Sequence, residues 1–109
     1  MMKIEAIIRP ERLNATKQAL DEIGVRGMTV TEVRGRGEQM GLEFTHRAGK
    51  FRVDLLPKVK IEIVLEDEMV DRAVRTICAS ARTGEVGDGK IFLVPVQKVI
   101  KVRTGEAEG

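Results

Sequence analysis

The sequence predicts an α+β fold of the ferredoxin-like kind: a βαβ-βαβ sandwich whose antiparallel sheet is covered on one face by two helices. Three observations lead there. Two segments alternate apolar and polar residues with a period of two; two others repeat apolar residues at helical spacing; and glycines punctuate the joints. The order that results is strand, helix, strand, long loop, strand, helix, strand. The halves faintly echo each other, Ile4-Glu5-Ala6-Ile7-Ile8 against Ile61-Glu62-Ile63-Val64-Leu65.

The first strand is Lys3 to Arg9, with Ile4, Ala6 and Ile8 on one face and Lys3, Glu5 and Arg9 on the other. Pro10 stands where a helix can begin, because the N–H it lacks is unpaired at that position. Leu13, Thr16, Leu20 and Ile23 then recur at helical spacing beside Ala19, and Gly24 is placed as a left-handed stop. Met28 to Arg34 is rich in β-branched residues and reads as the second strand. Gly35, Gly37 and Gly41 break that pattern, and no period recovers until Leu55. A connection of that length is rarely mere wiring.

From Leu55 the alternation is the cleanest in the chain. Leu55, Val59, Ile61, Ile63 and Leu65 face one way, and Lys58, Lys60, Glu62 and Glu66 the other. Asp67 is expected to cap the second helix, whose Val70, Ala73, Val74, Ile77, Cys78 and Ala81 form an apolar stripe. A second glycine loop spans Thr83 to Gly89. The last strand is expected over Lys90 to Arg103, interrupted by Pro95 at an edge or bulge. The sheet face opposite the helices would carry Lys3, Glu5, Lys60 and Glu62, either wet or paired at a subunit interface.

At 109 residues the chain makes one domain, and a core of that size leaves a thin margin that oligomerisation would widen. Charged residues make up 33% and the net charge is only +2, with the two signs interspersed. No basic run is interleaved with aromatics, so a dedicated nucleic-acid binder is not indicated. No apolar stretch reaches the length of a membrane span or signal core, and a cytoplasmic location is expected. The single cysteine, Cys78, reads as a small buried hydrophobe on the helix stripe.

The second glycine loop, Gly84-Glu85-Val86-Gly87-Asp88-Gly89-Lys90, nearly spells a Walker A motif. Ile91 stands where Ser or Thr would hold Mg²⁺, and the loop runs from helix into strand rather than the reverse. An ordinary P-loop NTPase is therefore rejected. The ingredients of an anion site remain: glycines that let successive N–H groups converge, and a compact cation in Lys90. A plain helix-to-strand turn is the other reading. Gly35 to Gly41 lacks the dinucleotide spacing and opens no helix. Lys58, Lys101 and Arg103 read as strand residues near sheet edges, ordinary solvated charges unless a second subunit brings its glycine loops to them. His46, the only histidine, sits in the long loop without a paired Ser or Cys, and no Cys/His spacing suggests a metal.

With the loops placed, a family resemblance becomes visible. Thr83-Gly84-Glu85-Val86-Gly87-Asp88-Gly89-Lys90-Ile91-Phe92 resembles the C-terminal signature of the PII nitrogen-regulatory proteins, and Ile4 to Pro10 their amino-terminal strand. Gly27 to Val33, Asp54 to Lys60 and Val102 to Glu106 are similar as well, so the likeness spans essentially the whole chain.

The resemblance implies a homotrimeric signalling adaptor for nitrogen, carbon and energy status, and not an enzyme. Its effectors would be ATP or ADP, Mg²⁺ and 2-oxoglutarate, bound in clefts between neighbouring subunits. By that likeness Gly87, Asp88, Gly89 and Lys90 cradle the phosphates, Thr29, Gly35 and Gly37 line the site, and Val64, Lys101 and Arg103 close it, the last two from the neighbouring chain. Gln39 would bind Mg²⁺. Lys58, with Gln39, Gly41 and Gly87, would take 2-oxoglutarate. The physics agrees: a dicarboxylate beside a triphosphate needs a divalent cation and a lysine to offset repulsion. Residues 37–55 correspond to the family's T-loop, 83–90 to its nucleotide loop and 104–109 to a C-terminal tail. The T-loop would present ligand-dependent surfaces to target proteins such as an ammonium transporter, a nitrogen-assimilation enzyme or a transcription regulator. Contact with a membrane would come only through a transporter partner, and nucleic acid would not be bound directly.

Two departures from the family pattern stand out. Phe51 occupies the place of the Tyr that many relatives uridylylate, and Gly49 offers no serine for phosphorylation, so no covalent switch is expected there. Glu38 stands where relatives usually carry an Arg that touches phosphate, and Lys101 replaces another Arg, losing bidentate geometry. Either nearby Arg36 compensates or nucleotide preference moves toward ADP or AMP. Other classes fit less well. A ferredoxin-like hydrolase needs a catalytic acid, base or nucleophile that is not apparent. An RNA-recognition module needs exposed aromatics where Ile7, Lys60 and Glu62 stand. A fused sensor domain is not expected at this length. A nucleotide-binding ATPase or adenylate sensor without a 2-oxoglutarate response is the remaining alternative.

Overall fold

A computed structural model describes residues 1–37, 42–46, 49–53 and 55–108, the second and third of these stretches by their backbone alone. The sheet strands are β1 (Met2–Ile8), β2 (Thr29–Gly35), β5 (Leu56–Leu65) and β6 (Gly89–Pro95), and the helices are α1 (Leu13–Glu22) and α2 (Asp67–Ala81). The strands form a four-stranded sheet in the order β2-β5-β1-β6, every pairing antiparallel. This is the expected ferredoxin-like α+β fold.

Its core follows from the two alternating strands. Ile4, Ala6 and Ile8 on β1 and Val59, Ile61 and Ile63 on β5 are buried, and they meet Leu20 of α1 and Val70, Ala73, Ile77 and Ala81 of α2. Burying such a side chain contributes about 1.5–3 kcal/mol, so this aliphatic cluster is sufficient without Trp or Tyr. Thr16 is the one buried polar side chain among the described residues; the Ser80 hydroxyl donates to its Oγ1 at 3.1 Å, joining α1 to α2. Arg12 strengthens that joint. It lies in the 3-10 turn Pro10–Arg12 that precedes α1, and its guanidinium donates twice to the Ser80 carbonyl near the end of α2, at 3.0 and 2.7 Å. Gly24 ends the first helical segment with φ of 88°, as its position predicts.

Four expectations are corrected. The span before Leu55 is not without pattern: β3 (Leu42–His46) and β4 (Gly49–Val53) pair as an antiparallel hairpin, with Phe44 opposite Phe51. Glu66, not Asp67, holds the N-cap position of α2 and makes no side-chain cap; Asp67 is the first helical residue, and its carboxylate meets the Met1 ammonium at 3.3 Å. An acid in that first turn still complements the helix dipole. Pro95 ends β6 instead of interrupting it, since proline cannot donate to a continuing ladder. Lys101 and Arg103 therefore lie in a turn beyond β6, closed by Gly105 N–H to the Lys101 carbonyl at 2.8 Å; and Lys58 is on β5, an inner strand and not an edge.

The face of the sheet away from the helices is the face that positions the candidate site. Register places Lys3, Glu5 and Ile7 of β1 beside Val64, Glu62 and Lys60 of β5 and beside Val94, Phe92 and Lys90 of β6. Lys3 bridges Glu5 at 2.8 Å and Glu62 at 3.3 Å, and Lys60 lies 3.7 Å from Glu62. The Glu5 and Glu62 carboxylates, Glu5 foremost, hold the Lys3 ammonium above its ordinary pKa, and Lys3 holds Glu5 below the usual carboxylate value. Around this half-buried network Val64, Phe92 and Val94 stay exposed.

Candidate nucleotide cleft

At one end of that face the strand ends and the second glycine loop enclose a cleft of about 310 Å³. Gly35, Arg36 and Gly37 approach from the end of β2, Lys58 from β5, and Gly87, Gly89 and Lys90 from the loop and β6, while Ile7 and Phe92 supply apolar walls. Of the residues expected to bind nucleotide or 2-oxoglutarate, Gly35, Gly37, Lys58, Gly87, Gly89 and Lys90 are thus brought together. Thr29 and Val64 are not. They lie on the same face toward its other end, where Thr29 pairs with Glu62 and Val64 with Lys3. Val64 lies six residue steps along β5 from Lys58, roughly 20 Å. Lys101 and Arg103, in the turn beyond β6, are not among the residues that line the cleft either. Gln39 and Gly41, together with Glu38, are outside the described residues; Phe51 lies on β4, described by its backbone alone.

The loop has a shape that only its own sequence permits. Gly84, Gly87 and Gly89 all have positive φ, and Gly89 is packed so closely on β1 that no side chain fits there. Asp88 ties the loop to itself: its Oδ2 accepts from the N–H groups of Thr83 and Gly84, each at 2.9 Å, and its Oδ1 accepts from the Thr83 hydroxyl. Arg9 Nε also donates to Oδ1, at 3.0 Å, and Arg9 Nη2 donates to the Val86 carbonyl at 2.8 Å. The Thr83 hydroxyl, then Arg9, hold the Asp88 carboxyl far below its ordinary pKa. The Asp88 side chain is therefore spent on loop architecture. Sequence reasoning missed Arg9 and Thr83 as parts of the site. A signal was present in Arg9, a strand-end cation just before a proline, but its partner lies 79 residues away.

Lys58 donates to the Gly87 carbonyl. Burial, and next the positive charge of Arg9, push its pKa down, while Glu11 and Asp88 push the other way. The Lys58 amine, now on a backbone carbonyl, can exchange that partner for a carboxylate. Arg36, Lys58 and Lys90 make the cleft a place for anions, and Ile7 and Phe92 give an attached ring or chain something apolar to lie on.

A family model described as nitrogen regulatory protein P-II matches residues 1–106. The chain belongs to the P-II family. It is 57% identical over 107 residues to nitrogen regulatory protein P-II 2 of Methanothermobacter thermautotrophicus, covering 98% of this chain and 93% of the relative. It is 52% identical over 109 residues to the P-II protein of Azospirillum brasilense, covering 100% and 97%. Against P-II 1 of Escherichia coli K12 it is 53% identical over 108 residues, covering 99% and 96%. The P-II family is one of nitrogen-regulatory signalling proteins, and this chain is a nitrogen-regulatory signalling protein. Among the described residues no helix is long and apolar enough to cross a membrane.

Proposed function

We propose that the chain reads cellular state by binding ATP or ADP, and 2-oxoglutarate with Mg²⁺ and ATP, in clefts formed between three copies of itself. The observation that carries this reading is the cleft that gathers Gly35 and Gly37 from one glycine loop, Gly87 and Gly89 from another, and Lys58 and Lys90 between them. Its cations and backbone donors suit phosphate and carboxylate, and Ile7 and Phe92 suit an adenosine moiety.

The split of the expected ligands supports a site completed by a neighbour. In one copy, Thr29 and Val64 stand on the same sheet face toward the opposite end from the cleft, and Lys101 and Arg103 are not among the residues that line it. A second copy packed on the helix-free face would bring its far end to the first copy's cleft. Exposed Val64, Phe92 and Val94 and the network of both charge signs suit a head-to-tail interface that closes a ring of three.

Lys58 is the proposed partner of a 2-oxoglutarate carboxylate, with Gln39, Gly41 and Gly87 around it, and Asp88 contributes its backbone. Among the described residues no group of three or more His, Cys, Asp or Glu side chains could hold a metal. That fits Mg²⁺ carried in with its ligands, since this ion is usually held by substrate oxygens and one or two protein groups. Gln39 is the proposed protein ligand, and the ion would offset the charge of phosphates lying beside a dicarboxylate. Target proteins, an ammonium transporter or a nitrogen-assimilation enzyme among them, would read the T-loop over residues 37–55. Light scattering should give the mass of three chains, and Lys90→Ala should weaken ATP binding about tenfold to a hundredfold with that mass unchanged. A monomer, or a Lys90→Ala variant with full affinity, would reject the reading.

A further inference from the structure

We infer that Arg9 is a positioning residue for the phosphate-holding loop, clamping it from outside the cleft through Asp88 and the Val86 carbonyl. Three features of the geometry carry this. First, Arg9 grips residues on both sides of Gly87, with Nε on Asp88 Oδ1 at 3.0 Å and Nη2 on the Val86 oxygen at 2.8 Å. Second, the pair is sheltered, with the Arg9 and Asp88 side chains 24% and 25% exposed. The other acid near Arg9, Glu11, is only at 4.0 Å and is 66% exposed, so it does not compete. Third, Gly87 lines the cleft and Arg9 does not.

The peptide group joins these observations. Its C=O and the following N–H point in opposite directions across a planar trans unit. Pinning the Val86 carbonyl to Arg9 therefore turns the Gly87 N–H to the side away from Arg9. The same guanidinium pairs with the Asp88 carboxylate, which would otherwise stand as an unbalanced negative charge in a loop that must receive an anion. Arg9 thus aims a donor and cancels a repulsion without touching the ligand. Lysine could supply the charge but not the planar fork that reaches both acceptors.

This inference rests on the nucleotide reading of the cleft, and the test separates the two. ATP and adenosine are titrated calorimetrically into the unaltered protein, Arg9→Met and Arg9→Lys, with thermal melts alongside. For Arg9→Met the expectation is a loss of about tenfold or more for ATP and less than about twofold for adenosine, which carries no phosphate. Arg9→Lys should recover part of the ATP loss. Equal losses for ATP and adenosine would reduce Arg9 to a structural role, and unchanged ATP affinity in Arg9→Met would overturn the inference with the nucleotide reading intact. No ATP binding by the unaltered protein would overturn both. Should Arg9→Met fail to fold, Arg9→Lys decides alone: affinity for ATP equal to that of the unaltered protein would reject the clamp.

Discussion

Gly89 lies so close to β1 that a Cβ built on it would fall 1.7 Å from the carbonyl oxygen of Ile7. The contact seats the glycine loop on the sheet. It sits where Arg9, two residues beyond Ile7, grips the loop's other side. The β1 strand end thus sets the loop's position from two directions, one steric and one electrostatic.

Gly89→Ala should therefore be costly. It needs φ of 107° and displaces a backbone atom, and together these should destabilise the fold by roughly 2–4 kcal/mol in urea unfolding. Gly84→Ala is the control: φ is 89° but nothing lies within 4 Å of the added carbon, so about 1 kcal/mol is expected. Equal costs would show that the approach to Ile7 is not tight.

Asp88 should make the protein acid-sensitive. Its folded pKa lies below the ordinary carboxylate value of 3.8, so its contribution is fully present above that value and is lost as pH falls through the folded pKa. Melting temperatures followed from about pH 5 downward should fall less steeply in Asp88→Asn than in the unaltered protein. Parallel slopes would place the acid-sensitive group elsewhere.

Arg12 joins the turn before α1 to the end of α2 through two bonds to one carbonyl. A cation at a helix C-terminus that also donates hydrogen bonds stabilises by about 1–2 kcal/mol. Arg12→Ala should lose that amount in chemical denaturation, and Arg12→Lys should recover less than half. A change below about 0.3 kcal/mol would mean that the guanidinium is replaceable by water.

Much of this architecture is legible in the order of residues. The alternation of Ile4, Ala6 and Ile8, and of Val59, Ile61 and Ile63, directly names the buried side of β1 and β5. Gly24 announces the turn it makes, whereas the glycine loops alone leave an anion site and a plain turn both open, and only the family resemblance joins them in one cleft. The β3–β4 hairpin is harder to see. Leu42 and Phe44, and Phe51 and Val53, do keep a period of two, but only for five residues each, between glycines that argue for loop. Pro95 is ambiguous for another reason: a proline at a strand end and one at a bulge look alike until the chain's next hydrogen bond is known. The Arg9–Asp88 clasp is invisible locally, because only the fold brings residues 79 apart into contact.

The T-loop region carries a separate expectation. With Phe51 in place of a modifiable Tyr, the peptide containing residues 46–52 should keep its unmodified mass in cells starved of nitrogen. A nucleotidyl mass shift on that peptide would contradict signalling through ligand state alone.

Lys58 and Gln39 should separate the two ligands. Lys58→Ala and Gln39→Ala are each expected to abolish the effect of 2-oxoglutarate on ATP affinity while leaving ADP binding within about threefold, as the two side chains are assigned to the dicarboxylate and Mg²⁺. Loss of ADP binding in equal measure would move both residues to the nucleotide.

The central claim is that one cleft joins nucleotide to 2-oxoglutarate, and calorimetric titration of ATP with Mg²⁺, in the presence and absence of 2-oxoglutarate, tests it most directly. Binding of ATP that tightens at least about fivefold when 2-oxoglutarate is present is the predicted result. ATP binding indifferent to 2-oxoglutarate would leave an adenylate sensor, and no heat with any adenine nucleotide would contradict the account at its base.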